Sequence, residues 1–176
     1  MTLGKFQLLC AVKEGEYSTE FYNHLIFEQQ QKQGVDIEYC GDQAIYHAMP
    51  IMMQKNHHAH GIYNGDMGLI WQHDSQFWIY FLTSDAQLKR FLPGQIQGWS
   101  SAHAITVHKS QGSEYEQVAF ACAAKDSPLL NKEMFYTAIT RAKQHFYCLA
   151  DMDELIVAIN NPSSRVSALS QRLLMG

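Results

Sequence analysis

The sequence predicts an α/β fold with a small β-barrel inserted into it, on three observations. The first 34 residues run strand, loop, amphipathic helix. From near Val35 to about Gly98 helical periodicity is absent and short strands alternate with turns. After Trp99 strands and helices alternate again. These changes of pattern divide the chain into an α/β unit of residues 1–38 and 99–176 and an inserted barrel of residues 39–98. With 176 residues, 47% of them hydrophobic, the chain can bury a substantial core.

Each element has a local reason. GKFQLLCAV, Gly4 to Val12, is a short apolar run of strand type with one polar residue, Gln7, inside it. KEGEY follows as a loop. Ser18 precedes TEFYNHLIFEQQQKQ, where Phe21 and Leu25, and Tyr22 and Ile26, recur at four-residue spacing. A serine N-cap opens this helix and Gly34 ends it. MPIMMQ, LIWQ, FWIYFL and LKRFL then read as strands, Asn64-Gly65 in YNGDMG as a turn, and HDSQ as a hairpin loop. Most aromatic residues of LIWQHDSQFWIYF are expected in the barrel core, with Tyr63 and Trp99 left to stack on bases. His103 to Val107 and Gln117 to Ala124 read as strands. Asn131 caps KEMFYTAITRAK, a helix with Phe135, Ile139 and Ala142 along one face. HFYCLA is a third strand, followed by a helix near Asp153–Ile159 and a tail of helical character around Ala168–Leu174.

Thirteen Lys and Arg against seventeen Asp and Glu give a net charge of −4, which argues against nucleic-acid binding through bulk charge. Thirteen cations still suffice to line one groove. Cys10, Cys40, Cys122 and Cys148 are far apart, and three lie in apolar runs, the pattern of reduced, buried thiols. No run approaches a membrane span and MTLGKFQLL lacks a signal-peptide pattern, so a soluble cytoplasmic protein without a membrane partner is expected.

AITVHKSQGSEYEQVAF holds the densest group of candidate ligands. Thr106, His108, Lys109, Ser110, Gln111 and Ser113 offer donors just past a strand end, Gly112 permits close backbone approach, and Glu114 can accept from a sugar hydroxyl. A polar surface turn is the plainer account. The loop is not a Walker loop, because its lysine precedes its only glycine, and no Gly-Lys-Ser/Thr occurs anywhere in the chain. Arg141 in TAITRAK sits in the last turn of the expected helix, as a catalytic cation or a partner of the helix dipole; Lys143 reads as a dipole partner. His57, His58 and His60 lack further ligands at zinc spacing, so a solvated loop fits them better than a metal site. Asp151 in LADMDE imitates a magnesium-binding acid but reads more simply as a helix cap.

Taken together, ITVHKSQGSE and MFYTAITRAK resemble the fifth and sixth motifs of superfamily 1 helicases in the form found in RecD-type proteins, the alpha subunits of exodeoxyribonuclease V. FQLLCAVKEG resembles the fourth motif. The resemblance covers nearly the whole chain. It implies a second RecA-like lobe, of P-loop NTPase type, interrupted by a Src-homology-3-like barrel that helps to guide single-stranded DNA. By that resemblance Thr106, His108 and Lys109, with Asn64 of the insert, face DNA. Gln111, Gly112, Ser113 and Glu114 face the nucleotide, and Arg141 is the arginine finger in a setting shaped by Tyr136, Thr137 and Thr140. Lys13 stands near a position where the family often carries arginine, so it is a candidate nucleotide contact without the planar fork. ATP and Mg²⁺ would be bound mainly by an upstream lobe, which makes the chain a C-terminal piece of a helicase subunit and inactive as an ATPase alone. The implied role is 5′-to-3′ translocation and unwinding at DNA ends in break repair and recombination, in a bacterial complex with RecB-like and RecC-like subunits. A non-motor module that binds single-stranded nucleic acid or docks on subunits is the alternative.

Overall fold

The computed structural model describes residues 4–83, 86–122, 131–150 and 152–160. The chain runs β1 (Phe6–Cys10), α1 (Thr19–Lys32), a hairpin of β2 (Ile37–Cys40) and β3 (Gln43–Tyr46), then β4 (Met49–Met53), β5 (Met67–His73), β6 (Gln76–Leu82), β7 (Leu88–Phe91) and β8 (Trp99–Ser101). It continues through β9 (Ala104–Thr106), β10 (Tyr115–Ala121), α2 (Lys132–Ile139), β11 (Ala142–Leu149) and α3 (Met152–Asn160). The helical character expected around Ala168–Leu174 lies outside the described residues, as does Asp151.

β1 sits inside a four-stranded parallel sheet of order β11-β10-β1-β9. Parallel strands are covered on both faces, so they need continuous rather than alternating apolar residues. Leu8, Leu9 and Cys10, and Val118 to Ala121, are all buried. Gln7 shares that burial and satisfies its amide by donating to the carbonyls of Ala102 (3.2 Å) and His103 (3.0 Å). It thereby fixes the segment entering β9, as a buried polar group requires a partner. Ser18 caps α1, its Oγ accepting from the Phe21 amide at 3.1 Å. Tyr22 and Ile26 turn toward the sheet, while Phe21 and Leu25 face out. Cys10 and Cys122 are buried, and Cys122 lies 3.8 Å from the half-buried Cys148, sulfur to sulfur.

The segment between α1 and β9 forms a five-stranded antiparallel sheet, β7-β6-β5-β4-β8, with the β2–β3 hairpin over one face. Ile45 and Tyr46 of the hairpin meet Met49, Ile51, Ile70, Phe77, Ile79 and Phe81 there, beside Ile62, Ile96 and Trp99. Asp74 and Ser75 both have positive φ (49° and 60°), the geometry that a two-residue hairpin loop needs to match strand twist. Gly68 leaves room for Phe81, whose ring would lie 2.7 Å from a β-carbon at that position.

Three expectations are corrected here. Trp99 is not an exposed stacking residue: it is 4% exposed and donates from Nε1 to the Ile96 carbonyl at 3.0 Å. The aromatic residues of β5 and β6 are not mostly core, because alternation buries Phe77 and Phe81 but turns Trp71, Trp78 and Tyr80 to the other face. The helix bearing Arg141 ends at Ile139, with Thr140 as its cap. Ala142 and Lys143 belong to β11, because pairing of Tyr115 with Ala142 draws the chain into the sheet.

Met52 and Tyr46 are among the side chains that dock the insert on the α/β unit. Met52 points away from the insert's own core into the cluster of Leu9, Ile105, Val118 and Phe120, with Met67 packed beside it. Tyr46 bonds His103 Nε2 at 2.6 Å, the two rings nearly parallel at 7°. Burial pushes Tyr46 up to about 12 and His103 down to about 4, so the hydrogen bond joins a neutral phenol and a neutral imidazole. Because the folded His103 value lies below that of the unfolded chain, its share of stability is complete above about pH 6.5 and is lost as pH falls through 4. A His103→Gln variant should therefore show a shallower loss of stability between pH 6.5 and 4 than the parent, by up to about 3 kcal/mol, measured by urea unfolding across that range.

Candidate functional site

The quoted loop leaves β9 as a 3-10 turn, Val107–Ser110, whose buried end holds it to the sheet. Val107 and Ser110 are buried, and Ser110 Oγ donates to the Val107 carbonyl at 2.7 Å. Thr106 caps the turn, its hydroxyl accepting from the Lys109 amide at 3.4 Å. That anchoring leaves His108, Lys109, Gln111, Gly112 and Glu114 exposed and Ser113 half-buried. Gly112 has φ +82° with open space where a side chain would stand, so backbone conformation is what calls for glycine there.

Arg141 closes this loop. Its Nη1 donates to the Ser113 carbonyl (3.1 Å), its Nε to the Thr137 carbonyl (3.2 Å) and its Nη2 to Thr140 Oγ1 (3.2 Å). Beneath it the Tyr115 amide donates to the Arg141 carbonyl at 2.8 Å. The Tyr115 hydroxyl is pushed up by burial and drawn back by a hydrogen bond with Ser113 and by the Arg141 charge. A guanidinium has five N–H groups. Three of them bond Thr137, Ser113 and Thr140, and the other two have no partner among the described residues. Lys143 pairs with Glu114 at 3.2 Å instead of serving a helix dipole. Tyr136 is exposed and gives its carbonyl to the Thr140 amide.

A second grouping lies between the α/β unit and the insert, in a cleft of about 650 Å³ lined by Lys13, Asn23, Gln54, Ser100, Thr106 and Lys109, among others. Lys109 Nζ donates to Gln54 Oε1, and Gln54 in turn donates to Ser100 Oγ at 2.8 Å. Desolvation, then the Lys13 charge, pulls Lys109 below the usual lysine range. Lys13 is raised by its hydrogen bonds with Glu14 and Glu20, at 3.3 and 3.4 Å. Lys13 therefore stands with Thr106 and Lys109, in a cleft whose lining omits Gln111, Gly112, Ser113, Glu114 and Arg141. Asn64 is outside it too, in an exposed turn where its amide donates to Asn56 Oδ1 at 2.8 Å. His57 Nε2 pairs with the Gln97 carbonyl at 2.7 Å.

Sequence reasoning missed Asn23, Gln54 and Ser100. Asn23 donates to the Ala104 carbonyl (2.9 Å) and accepts from the Ala104 amide (3.1 Å), replacing a strand at the open edge of β9. An asparagine among apolar residues of α1 was the available signal; for Gln54 and Ser100 there was none, since their partners are about fifty residues away.

Residues 101–149 match the UvrD-like helicase C-terminal domain. The chain is 31% identical over 172 residues to the RecBCD enzyme subunit RecD of Mycolicibacterium smegmatis, covering 98% of this chain and 30% of that protein. It is 28% identical over 146 residues to RecD of Buchnera aphidicola subsp. Schizaphis graminum, covering 81% of this chain and 24% of the relative. It thus spans less than a third of these relatives. Among solved structures, Pif1 helicase from Bacteroides in complex with ADP-AlF3 and ssDNA superposes with a TM-score of 0.59 at 14% identity, covering 99% of this chain and 46% of that one. The mixed α/β fold resembles the C-terminal lobe of such helicases.

Arg141→Lys should keep the charge but lose the forked contacts to Ser113 and Thr140. The expected cost is about 1–3 kcal/mol in urea unfolding, with the parallel sheet intact by circular dichroism.

Proposed function

From its kinship with RecD-type superfamily 1 helicases, we propose that this chain is a second motor lobe of an ATP-dependent DNA helicase subunit. The lobe couples ATP hydrolysis to movement along single-stranded DNA and to duplex unwinding in break repair and recombination. Its division is an α/β lobe of residues 1–38 and 99–176 and a Src-homology-3-like insert of residues 39–98. The observation that carries the proposal is the bond from Arg141 Nη1 to the Ser113 carbonyl, which joins two motifs 28 residues apart at one edge of the parallel sheet.

Arg141 supplies positive charge to the γ-phosphate of ATP. Phosphoryl transfer is catalysed by positioning and charge neutralisation, and an added arginine is worth about 10³–10⁵ in rate. The donors fit one flank of a triphosphate: two free N–H groups on Arg141, the Gln111 side chain and the Gly112 backbone. Mg²⁺ and most of ATP would be held by another lobe, as the resemblance to superfamily 1 helicases implies. When that lobe binds ATP the nucleotide provides the phosphoryl group, and this chain contributes the cation and the loop that senses it. Alone it is inactive as an ATPase.

Thr106 links the two functions, because its hydroxyl caps the turn that carries Lys109 toward the cleft while the same turn leads into Gln111 and Ser113. Thr106, His108 and Lys109 contact DNA phosphates, joined by Lys13 across the cleft, and Asn64 extends the contact on the insert. The full protein works with RecB-like and RecC-like subunits on DNA ends in the bacterial cytoplasm.

In a longer protein that pairs this chain with an ATP-binding lobe, Arg141→Lys should lower DNA-stimulated ATP hydrolysis by about 10³-fold or more while single-stranded DNA still binds. Full activity would remove Arg141 from the reaction. For the chain itself, Lys109→Ala should weaken oligothymidylate binding and flatten the slope of log affinity against log salt by about 1. An unchanged slope would take Lys109 off the DNA path.

A further inference from the structure

We propose that the outward face of strands β5, β6 and β7 is a stacking platform for single-stranded nucleic acid, centred on Trp71, Trp78, Tyr80 and Arg90. The proposal rests on the reading that this chain handles single-stranded DNA, and it assigns a surface which that reading leaves open.

The inner face of these strands is complete: Ile70, Phe77, Ile79 and Phe81 are all buried in the insert's core. An antiparallel sheet with its other face in water should carry polar residues there. Here Trp71 stands opposite Trp78, Leu82 opposite Leu88, and Leu69, Tyr80 and Arg90 form one row across three strands. Leu82 and Leu88 are 69% and 68% exposed, and the two tryptophans and Tyr80 are only half-buried.

Charge selects the occupant. None of the outward residues on these three strands is acidic. The Arg90 guanidinium carbon lies 4.7 Å from the centre of the Trp78 ring, and the His47 ring lies 4.1 Å from that of Trp71. Asp74, at the hairpin tip, is paired with His73 at 2.8 Å. Trp78 with the Arg90 guanidinium over it, beside Trp71 and Tyr80, offers π-faces to bases and one positive charge to phosphates, the combination that binds single strands without regard to sequence.

The platform also continues from the cleft. Pairing of Met67 with Met52, and of Met52 with Ser100, carries the same face of the sheet onto β4 and β8. There Met52, Gln54 and Ser100 line the cleft with Lys13 and Lys109. From β4 to β6 is two strand spacings, about 10 Å. A strand leaving the cleft's lysines meets Tyr80 and Trp78 next.

Intrinsic fluorescence reads this directly, because the third tryptophan, Trp99, is buried. Titrating a 16-nucleotide oligothymidylate into the 176-residue chain should quench tryptophan emission and shield it from acrylamide. The paired change Trp71→Leu and Trp78→Leu should weaken binding at least about 10-fold. Lys109→Ala should weaken binding but leave the quench at saturation unchanged. Acrylamide shielding in the unsubstituted chain keeps the test independent of whether the paired variant folds. Oligothymidylate binding without quenching or shielding would overturn the platform and leave the cleft assignment standing. No binding at all would overturn both. Emission that depends on protein concentration and not on oligonucleotide would mark the face as a protein contact and overturn the proposal.

Discussion

The hydrogen bond from the Tyr115 amide to the Arg141 carbonyl is the constraint on which the candidate site depends. It begins the parallel pairing of β10 with β11, which continues through Leu149. Helical propensity alone would carry α2 through Ala142, but each residue added to the helix would remove a bond from the pairing of β11 with β10. The sheet wins, the helix stops at Ile139, and Arg141 is left at the junction with its side chain directed across to Ser113. A residue placed this way is bonded to its own helix end and to the neighbouring loop at once. Movement of either displaces the guanidinium. That suits the role proposed for Arg141, a cation whose effect on a bound phosphate depends on closure.

The same economy of placement governs the insert. It meets the α/β unit through side chains that leave its own core: Met52 enters the neighbouring cluster, and Tyr46 reaches His103. Gln7 and Asn23 hold the returning segment around Ala102 to Ala104 from opposite sides of the chain, both through buried or half-buried amides. The cleft holding Lys109 is walled by that returning segment and by the paired strands β4 and β8. Its shape therefore depends on how firmly the insert is docked, and a neutral His103 is part of that docking.

Polar residues in unexpected places were the most informative feature of the sequence. Gln7 within an apolar strand and Asn23 among the apolar residues of α1 each mark a long-range tie that simple periodicity hides. Aromatic residues misled for the opposite reason. Trp71, Trp78 and Tyr80 read as core because they are large and apolar, whereas period-two alternation had already divided the run FWIYFL between two faces. Trp99, taken as exposed because it stands at the end of the insert, is covered because its strand pairs with β4 at Met53.

By itself the sequence determined the order of most elements, though not the β2–β3 hairpin or β8, together with the caps Ser18 and Asn131, the hairpin at Asp74-Ser75 and the two polar motifs around Lys109 and Arg141, because each depends on neighbours a few residues away. It also carried the similarity to RecD helicase subunits, since motif spacing is a local property. Tertiary structure alone decided that Arg141 meets Ser113, that Lys13 shares a cleft with Lys109 and Gln54, and that one face of the insert carries its aromatic rings outward. Those outcomes rest on strand pairing between residues up to about a hundred positions apart, such as Leu8 beside Ala104, and local pattern carries no information about partners at that range.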